Sequence, residues 1–251
     1  MKMKDKVVII TGGGQGIGLG ISKAFVKEGA NLVITGRNMD KLERAAEELR
    51  AYGTDILPVQ ADGSDEIAVA NAIKQVVDHF GRIDVVINNA QTSKSGMLLV
   101  DHTTEDFELA LHTGLYATFY YMRAAFPYLQ KTKGAVINLA SGAGLFGKSG
   151  QSSYAAAKEG IRGLSRVAAT EWGEFGINVN VVCPLVMTPG LAKWQQEYPE
   201  LYNNTIRNIP LGRFGDAEQD IGRVCIFLAS EDSSFISGET ITLQGGSGLR
   251  P

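Results

Sequence analysis

The chain predicts an α/β fold: a doubly wound parallel sheet of seven strands with helices on both faces. Three observations carry this. Short apolar, β-branched runs alternate along the whole chain with longer segments whose apolar residues recur at three- and four-residue steps. The strand-like runs are apolar on both faces, as strands covered by helices on each side must be. A glycine-rich loop between the first strand and the first helix marks the sheet edge where such folds bind ligands.

Lys6–Thr11 (K-V-V-I-I-T) is the first predicted strand, and the apolar spacing from Ile17 to Glu28, stopped by Gly29, is the first helix. Asn31–Thr35 and the charged segment from Met39 to about Ala51 form the second pair. Asp55–Gln60 with Ser64–Phe80, closed by Gly81, form the third. Arg82–Asn88 is the fourth strand, followed by helical patterning from Thr103 to about Lys131 with one interruption. Ala135–Leu139 precedes a helix over Ser152–Glu174, Ile177–Cys183 precedes one over Ala217–Ala229, and Thr240–Leu243 is the seventh strand. No linker, repeat or low-complexity segment divides the chain, so 1–251 reads as a single domain. Its cofactor half is about 1–135 and its catalytic half about 136–251. The C-terminal G-S-G-L-R-P has no local preference and is free to order at an interface.

Composition narrows the function classes. A net charge of −3 and a pI near 5.7 give no electrostatic case for nucleic acid or an anionic membrane as partner. Cys183 and Cys225 each sit inside an apolar run and read as small core residues, with no spacing for a disulfide framework or a metal site. The N-terminal M-K-M-K-D-K passes directly into a strand, and no apolar stretch reaches the length of a signal peptide or membrane span. The cytoplasm is the expected location.

T-G-G-G-Q-G-I-G, Thr11–Gly18, stands between a strand and a helix at the start of a β-α-β unit. Glycine permits the tight turn and lets backbone amides approach a pyrophosphate, and the helix N-terminus adds positive potential. The motif in this position reads as a dinucleotide site of the Rossmann type. Farther along, Tyr154 and Lys158 project from one face of an Ala-rich helix, and Ser141 follows the fifth strand. A phenol, an ammonium and a hydroxyl together suit proton transfer to or from a substrate oxygen. Free tyrosine titrates near pH ~10. One positive charge about 4 Å away, at an effective dielectric of about 20, is worth on the order of 4 kcal/mol before desolvation losses, so a single lysine is in principle a sufficient neighbour to make the phenol a base near neutrality.

T-G-x-x-x-G-x-G at Thr11–Gly18, N-N-A at Asn88–Ala90, and S-x12-Y-x3-K at Ser141, Tyr154 and Lys158 together resemble the short-chain dehydrogenase/reductase family. The resemblance runs to the S-G-E-T-I-T-L-Q-G-G segment near the C-terminus. It implies that Tyr154 is the general acid/base, that Ser141 hydrogen-bonds the reacting oxygen, and that Lys158 holds the nicotinamide ribose and lowers the Tyr154 pKa. It also implies cofactor contacts from Gly12, Gly14, Gln15, Gly16, Ile17 and Gly18 in the loop, from Asp62 and Gly63 after the third strand, and from Asn89 and Thr188. Asp62 reads either as an adenine contact or as a cap for the helix at Ser64. A homo-oligomer, commonly a tetramer, follows from the same resemblance.

The second strand ends in Thr35-Gly36-Arg37-Asn38, without the acidic residue that would bind the ribose hydroxyls of NAD(H). Gly36 leaves room there and Arg37 is available to a 2′-phosphate, which favours NADP(H) over NAD(H). The chain also departs from the family pattern. Gly114 stands where many members carry an asparagine that assists a proton relay, leaving His112, Thr113 or water for that task. Gln91 replaces the glycine common after N-N-A, and its amide is placed to face substrate. The loop P-L-V-M-T, Pro184–Thr188, is one residue shorter than usual.

Leu191, Trp194, Tyr198, Leu201, Tyr202 and Ile206 form an apolar stripe at helical spacing, where the family has a lid over its substrate. With Leu145, Phe146 and Met97 it suits a bulky apolar substrate, and Lys148 and Lys193 are available to one carboxylate. The segments N-N-A-Q, G-L-Y-A-T-F-Y-Y-M, A-S-G-A-G-L-F-G, S-Y-A-A-A-K-E-G-I-R-G-L and G-R-F-G-D resemble bacterial bile-acid hydroxysteroid dehydrogenases, especially those acting at the 12α position. That resemblance implies interconversion of 12α-hydroxy and 12-oxo bile acids. The alternatives are reduction of 3-oxoacyl thioesters on acyl carrier protein and, more remotely, a cofactor-binding sensor without turnover.

Overall fold

Seven short strands, β1 (Val7–Thr11), β2 (Asn31–Gly36), β3 (Ile56–Gln60), β4 (Val85–Asn88), β5 (Ala135–Leu139), β6 (Asn178–Pro184) and β7 (Thr240–Leu243), form one parallel sheet in the computed structural model. Their order is β3-β2-β1-β4-β5-β6-β7, so chain direction across the sheet reverses between β1 and β4. The structure describes residues 1–248; the last three residues of the C-terminal G-S-G-L-R-P segment lie outside the described residues.

Alternation along each strand divides the core in two. Val8, Ile10, Leu32 and Ile34 meet the helices α1 (Gly16–Lys27) and α2 (Met39–Arg50) on one face, together with Cys225 and Leu228 from a later helix. Val7, Ile9 and Val33 meet α3 (Glu66–Phe80) on the other face. Ile9 pairs with Val33 and Val86, and Asn88 at the end of β4 pairs with Asn138 of β5. Both cysteines are buried thiols, and burial pushes the Cys225 pKa up to about 12, so it is an unreactive core side chain.

The boundaries shift from the predicted ones for local reasons. α3 begins two residues late because Asp65 caps it, accepting hydrogen bonds from Ile67 N at 2.8 Å and Ala68 N at 3.2 Å. β4 begins at Val85 rather than Arg82. The buried Asp84 carboxylate before it accepts from Val7 N at 3.0 Å and from Arg82, which ties this approach segment down outside the ladder. The helical patterning after Thr103 resolves into α4 (Thr104–Ala110), a wide π turn (Leu111–Tyr116) and α5 (Ala117–Thr132). The interruption is therefore a change of hydrogen-bond register rather than a break. Beyond β5 come the short α6 (Gly142–Phe146) and the long α7 (Ser152–Trp172); α5 and α7 complete the second face with Tyr121, Leu129 and Ala168. The predicted lid helix is two helices, α8 (Pro189–Glu197) and α9 (Pro199–Arg207), because Pro199 starts a new first turn at Tyr198. A second π turn (Ala217–Gly222) precedes α10 (Arg223–Leu228) where one helix was predicted.

Candidate active site

The glycine loop leaves β1 as the chain turns into α1, and Gly12 (φ 67°) and Gly16 (φ 54°) take the left-handed conformation that this turn demands. Thr11 and Asn89 lock it. Asn89 Nδ2 donates to the Thr11 carbonyl at 2.8 Å, and the amides of Asn89 and Ala90 donate to Thr11 Oγ1 at 2.9 and 3.0 Å. A Cβ on Gly18 would lie 2.2 Å from the Gly12 carbonyl oxygen, so helix and loop approach as closely as backbone allows. Gly18 is thus buried beneath the loop. A Cβ on Gly16 would meet nothing within 4 Å, so that side of the loop is open.

The opening is a groove of about 470 Å³ between the carboxyl ends of β1 and β4, the switch point of the sheet. Gly12, Gln15, Gly16, Ile17, Arg37, Asp62, Gly63 and Asn89 all line it. Gly14 lines an adjoining recess with Arg37, Asn38 and Lys41. Lys41 Nζ donates to Gln15 Oε1 at 3.4 Å, which puts a second cation beside Arg37. The composition gave no sign of this pairing; the offset of Lys41 from the second strand was its one available signal. Asp62 Oδ1 accepts from Ser64 N at 3.0 Å and Ser64 Oγ at 2.7 Å. Burial raises the Asp62 pKa, but these hydrogen bonds and the Arg37 charge outweigh it and leave the carboxyl below its ordinary value. The helix cap is Asp65, so Asp62 is left to the groove.

These features fit a dinucleotide. The open face of Gly16, the volume of the groove and the Arg37–Lys41 recess supply a turn for a pyrophosphate, a cleft of ligand size and cations for an added phosphate.

Ser141, Tyr154 and Lys158 come together where β5 feeds α6 and α7. Ser141 caps α6, its Oγ accepting from Ala143 N at 3.1 Å, and a Ser141 side-chain hydrogen bond reaches Tyr154. Tyr154 lies in the first turn of α7 and Lys158 one turn on, its Nζ 5.5 Å from the Tyr154 ring centroid. Lys158 is 4% exposed and Nζ donates to the Leu139 carbonyl at 2.6 Å. The expected lowering of the Tyr154 pKa is not what this arrangement produces. Burial raises the Tyr154 pKa and the Ser141 hydrogen bond opposes it only in part. The ammonium, 5.5 Å from the ring centroid and with its own pKa lowered to about 8 by burial, does not reverse that.

Other expectations are redistributed. Thr188 caps α8 by accepting from Leu191 N at 3.2 Å and is not among the groove-lining residues. Tyr198 and Leu201 are 51% and 54% exposed, while Trp194, Tyr202 and Phe214 stack in a chain of ring contacts. Of the six residues of the predicted stripe, two are therefore surface and the other four are half-buried. Gln91 lines the groove, and its amide lies against Gly114, where a Cβ would meet all three amide atoms at 2.7–2.9 Å. His102, given no role by its sequence context, bridges the N-terminus of α7, with Nδ1 3.1 Å from Ser152 Oγ and Nε2 3.2 Å from Ser153 Oγ. Among the described residues no helix is long and apolar enough to cross a membrane.

Comparisons with known proteins agree with this geometry. A family model described as Enoyl-(Acyl carrier protein) reductase matches residues 12–247. The chain is 60% identical over 253 residues to a 12alpha-hydroxysteroid dehydrogenase of Clostridium sp., covering 98% of each chain. It is 34% identical over 251 residues to a 3-oxoacyl-(acyl-carrier-protein) reductase of Thermotoga maritima, covering 98% of this chain and 99% of that one. Among solved structures, levodione reductase superposes with a TM-score of 0.91 at 31% identity, covering 98% of each chain. NAD+-bound xylitol dehydrogenase superposes with a TM-score of 0.92 at 28% identity, covering 98% of this chain and all (100%) of that one. By its glycine loop, its switch-point groove and its likeness to these oxidoreductases along nearly its whole length, the chain belongs to the short-chain dehydrogenase/reductase family.

Proposed function

We propose that this oxidoreductase interconverts 12α-hydroxy and 12-oxo groups of bile-acid steroids, with NADP(H) as the hydride carrier. The observation that carries the substrate is the 60% identity, over nearly the full chain, to a 12alpha-hydroxysteroid dehydrogenase; the 3-oxoacyl reductases stand far lower, at 34–36%. The recess lined by Arg37 and Lys41 supports NADP(H), since both cations are available to a 2′-phosphate.

When bound, the nicotinamide supplies or accepts the hydride. The chain's own groups handle the proton. In reduction, the Tyr154 phenol, kept protonated by burial, gives its proton to the oxygen of the former carbonyl. Ser141 Oγ already accepts from Ala143 N, which leaves its O–H to donate to that same oxygen. The Lys158 ammonium is fixed by the Leu139 carbonyl and lies over the Tyr154 ring, where it would stabilise the phenolate that remains and be available to hold the nicotinamide ribose. We read residues 1–251 as one domain, working in the cytoplasm as a homo-oligomer, a tetramer by the family pattern. The apolar face of α5 and α7 around Phe126, Val167 and Trp172 is the surface offered for such pairing.

Reduced-cofactor consumption, measured with a panel of 3-oxo, 7-oxo and 12-oxo bile acids and with both NADPH and NADH, tests the proposal. Turnover of the 12-oxo compound with NADPH is expected. An NADH preference removes the cofactor assignment, and silence on the 12-oxo compound removes the substrate.

A further inference from the structure

Tyr154 is the third residue of α7, and that helix begins without a side-chain cap: Gln151 before it makes no capping hydrogen bond. The first amides of a helix have no partner inside it, so an uncapped first turn is the part that frays. A proton donor placed there needs a tie from elsewhere. A displacement of about 1 Å at a reacting group can cost on the order of a hundredfold in rate.

The tie comes from the segment that follows β4. Gly96 N donates to the Gly150 carbonyl at 2.7 Å, and a Cβ on Gly150 would lie 3.2 Å from Gly96 Cα, so two backbones touch just ahead of α7. Farther along, the half-buried His102 ring sets Nδ1 3.1 Å from Ser152 Oγ and Nε2 3.2 Å from Ser153 Oγ. His102 is itself held. Its amide donates to the Leu99 carbonyl at 3.4 Å, and Thr103 after it caps α4 by accepting from Asp106 N at 3.2 Å. The buried Asp106 carboxylate pairs with Lys94 Nζ at 2.8 Å, which draws the start of the segment to the same helix.

The neighbours of the ring decide which nitrogen carries the hydrogen. Nδ1 also lies 3.3 Å from the Leu98 carbonyl, which can only accept, so the hydrogen is on Nδ1. In the neutral ring Nε2 is then an acceptor, and the Ser153 hydroxyl donates to it. Ser153 is fully buried, where a hydroxyl without a partner is costly, so this bond fixes the residue directly before Tyr154.

We propose that His102 is a positioning residue for Tyr154: by accepting from the Ser153 hydroxyl at Nε2 it holds the first turn of α7 and keeps the phenol within reach of Ser141 and the substrate oxygen. This rests on the reading of Tyr154 as proton donor.

His102→Leu removes both polar contacts. His102→Gln returns a carbonyl acceptor near the place of Nε2, whereas His102→Asn returns polar atoms only near Nδ1. The leucine and asparagine variants should lower kcat roughly ten- to a hundredfold, with KM for NADPH changed less than about twofold, and the glutamine variant should recover most of the loss. Ser153→Ala should lose as much as His102→Leu, and the two changes together should cost little more than either. Unchanged kcat in His102→Leu, recovery by asparagine as full as by glutamine, or a loss of kcat matched by a loss of cofactor affinity overturns the proposal.

Nitrogen-15 resonances of the imidazole in the wild-type protein at mildly alkaline pH, assigned by their absence from His102→Gln, decide without any substrate. They should show a protonated Nδ1 and a bare Nε2, with the Nε2 signal displaced in Ser153→Ala. The opposite tautomer, or an Nε2 signal indifferent to Ser153, overturns the inference. Absence of ketone turnover by the wild type would instead remove the reading of Tyr154, and this role of His102 with it.

Discussion

The Lys158 ammonium and the Leu139 carbonyl are joined at 2.6 Å inside the protein, with Lys158 only 4% exposed. Burial holds the Lys158 pKa at about 8 against an ordinary value of 10.5. Between those values the unfolded chain binds more protons than the folded one, so this group's contribution to stability rises with pH. Thermal or denaturant unfolding of wild type and Lys158→Met should therefore diverge in favour of wild type between pH about 8 and about 10.5. The divergence should be on the order of 3 kcal/mol. A difference that stays flat across that window would mean that Lys158 is not buried as a cation.

The raised Tyr154 pKa sets a direction to the pH dependence. At neutral pH the phenol is protonated, which suits carbonyl reduction, whereas alcohol oxidation needs the phenolate. Oxidation should gain rate as pH rises toward the Tyr154 pKa, and reduction should lose it over the same range. Parallel profiles in the two directions would deny Tyr154 the proton. Tyr154→Phe should lower kcat by about 10²–10⁴-fold while cofactor binding, followed by reduced-nicotinamide fluorescence, stays within about twofold.

Arg37 and Lys41 share the recess beside Gly14 and Gln15. Hydrogen bonds to charged groups are worth about 1.5–3 kcal/mol, so Arg37→Ala should raise KM for NADPH by roughly ten- to a hundredfold and leave KM for NADH nearly unchanged. Lys41→Ala should act in the same sense and more weakly. Equal losses with both cofactors would place these side chains away from the 2′-phosphate.

Gly18 has no room for a methyl group beside the Gly12 carbonyl and the Asn89 amide. Gly18→Ala should lower stability by about 1–3 kcal/mol, as overpacking does, and weaken cofactor binding by displacing the loop. Calorimetry with and without cofactor reads both effects. A variant as stable as wild type, with unaltered affinity, would show that the loop yields at little cost.

Much of this was legible in the chain. β5 and β7 lie at the residues predicted, because short β-branched runs between turn signals leave little freedom. The glycine loop was legible because its backbone demands one residue type, and the Ser141, Tyr154 and Lys158 set because its spacing joins a strand end to a helix face. What was not legible depends on contacts distant in sequence. Apolar spacing cannot report the π turn at Leu111–Tyr116, where only the hydrogen-bond register changes. The seating of Gln91 on Gly114, and the reach of His102 to Ser152 and Ser153, appear only when the end of β4, the π turn and α7 are brought together. The sign of the Tyr154 shift is not legible for a related reason: the size of the desolvation loss depends on the burial that the fold imposes on both partners.

The most direct test compares kcat/KM for a 12-oxo bile acid and for a 3-oxoacyl thioester, both with NADPH and the wild-type protein. The proposed function predicts that the 12-oxo steroid is reduced to the 12α-alcohol with the larger kcat/KM, and that Tyr154→Phe lowers this turnover by about 10²–10⁴-fold. Reduction of the thioester in preference to the steroid would contradict it.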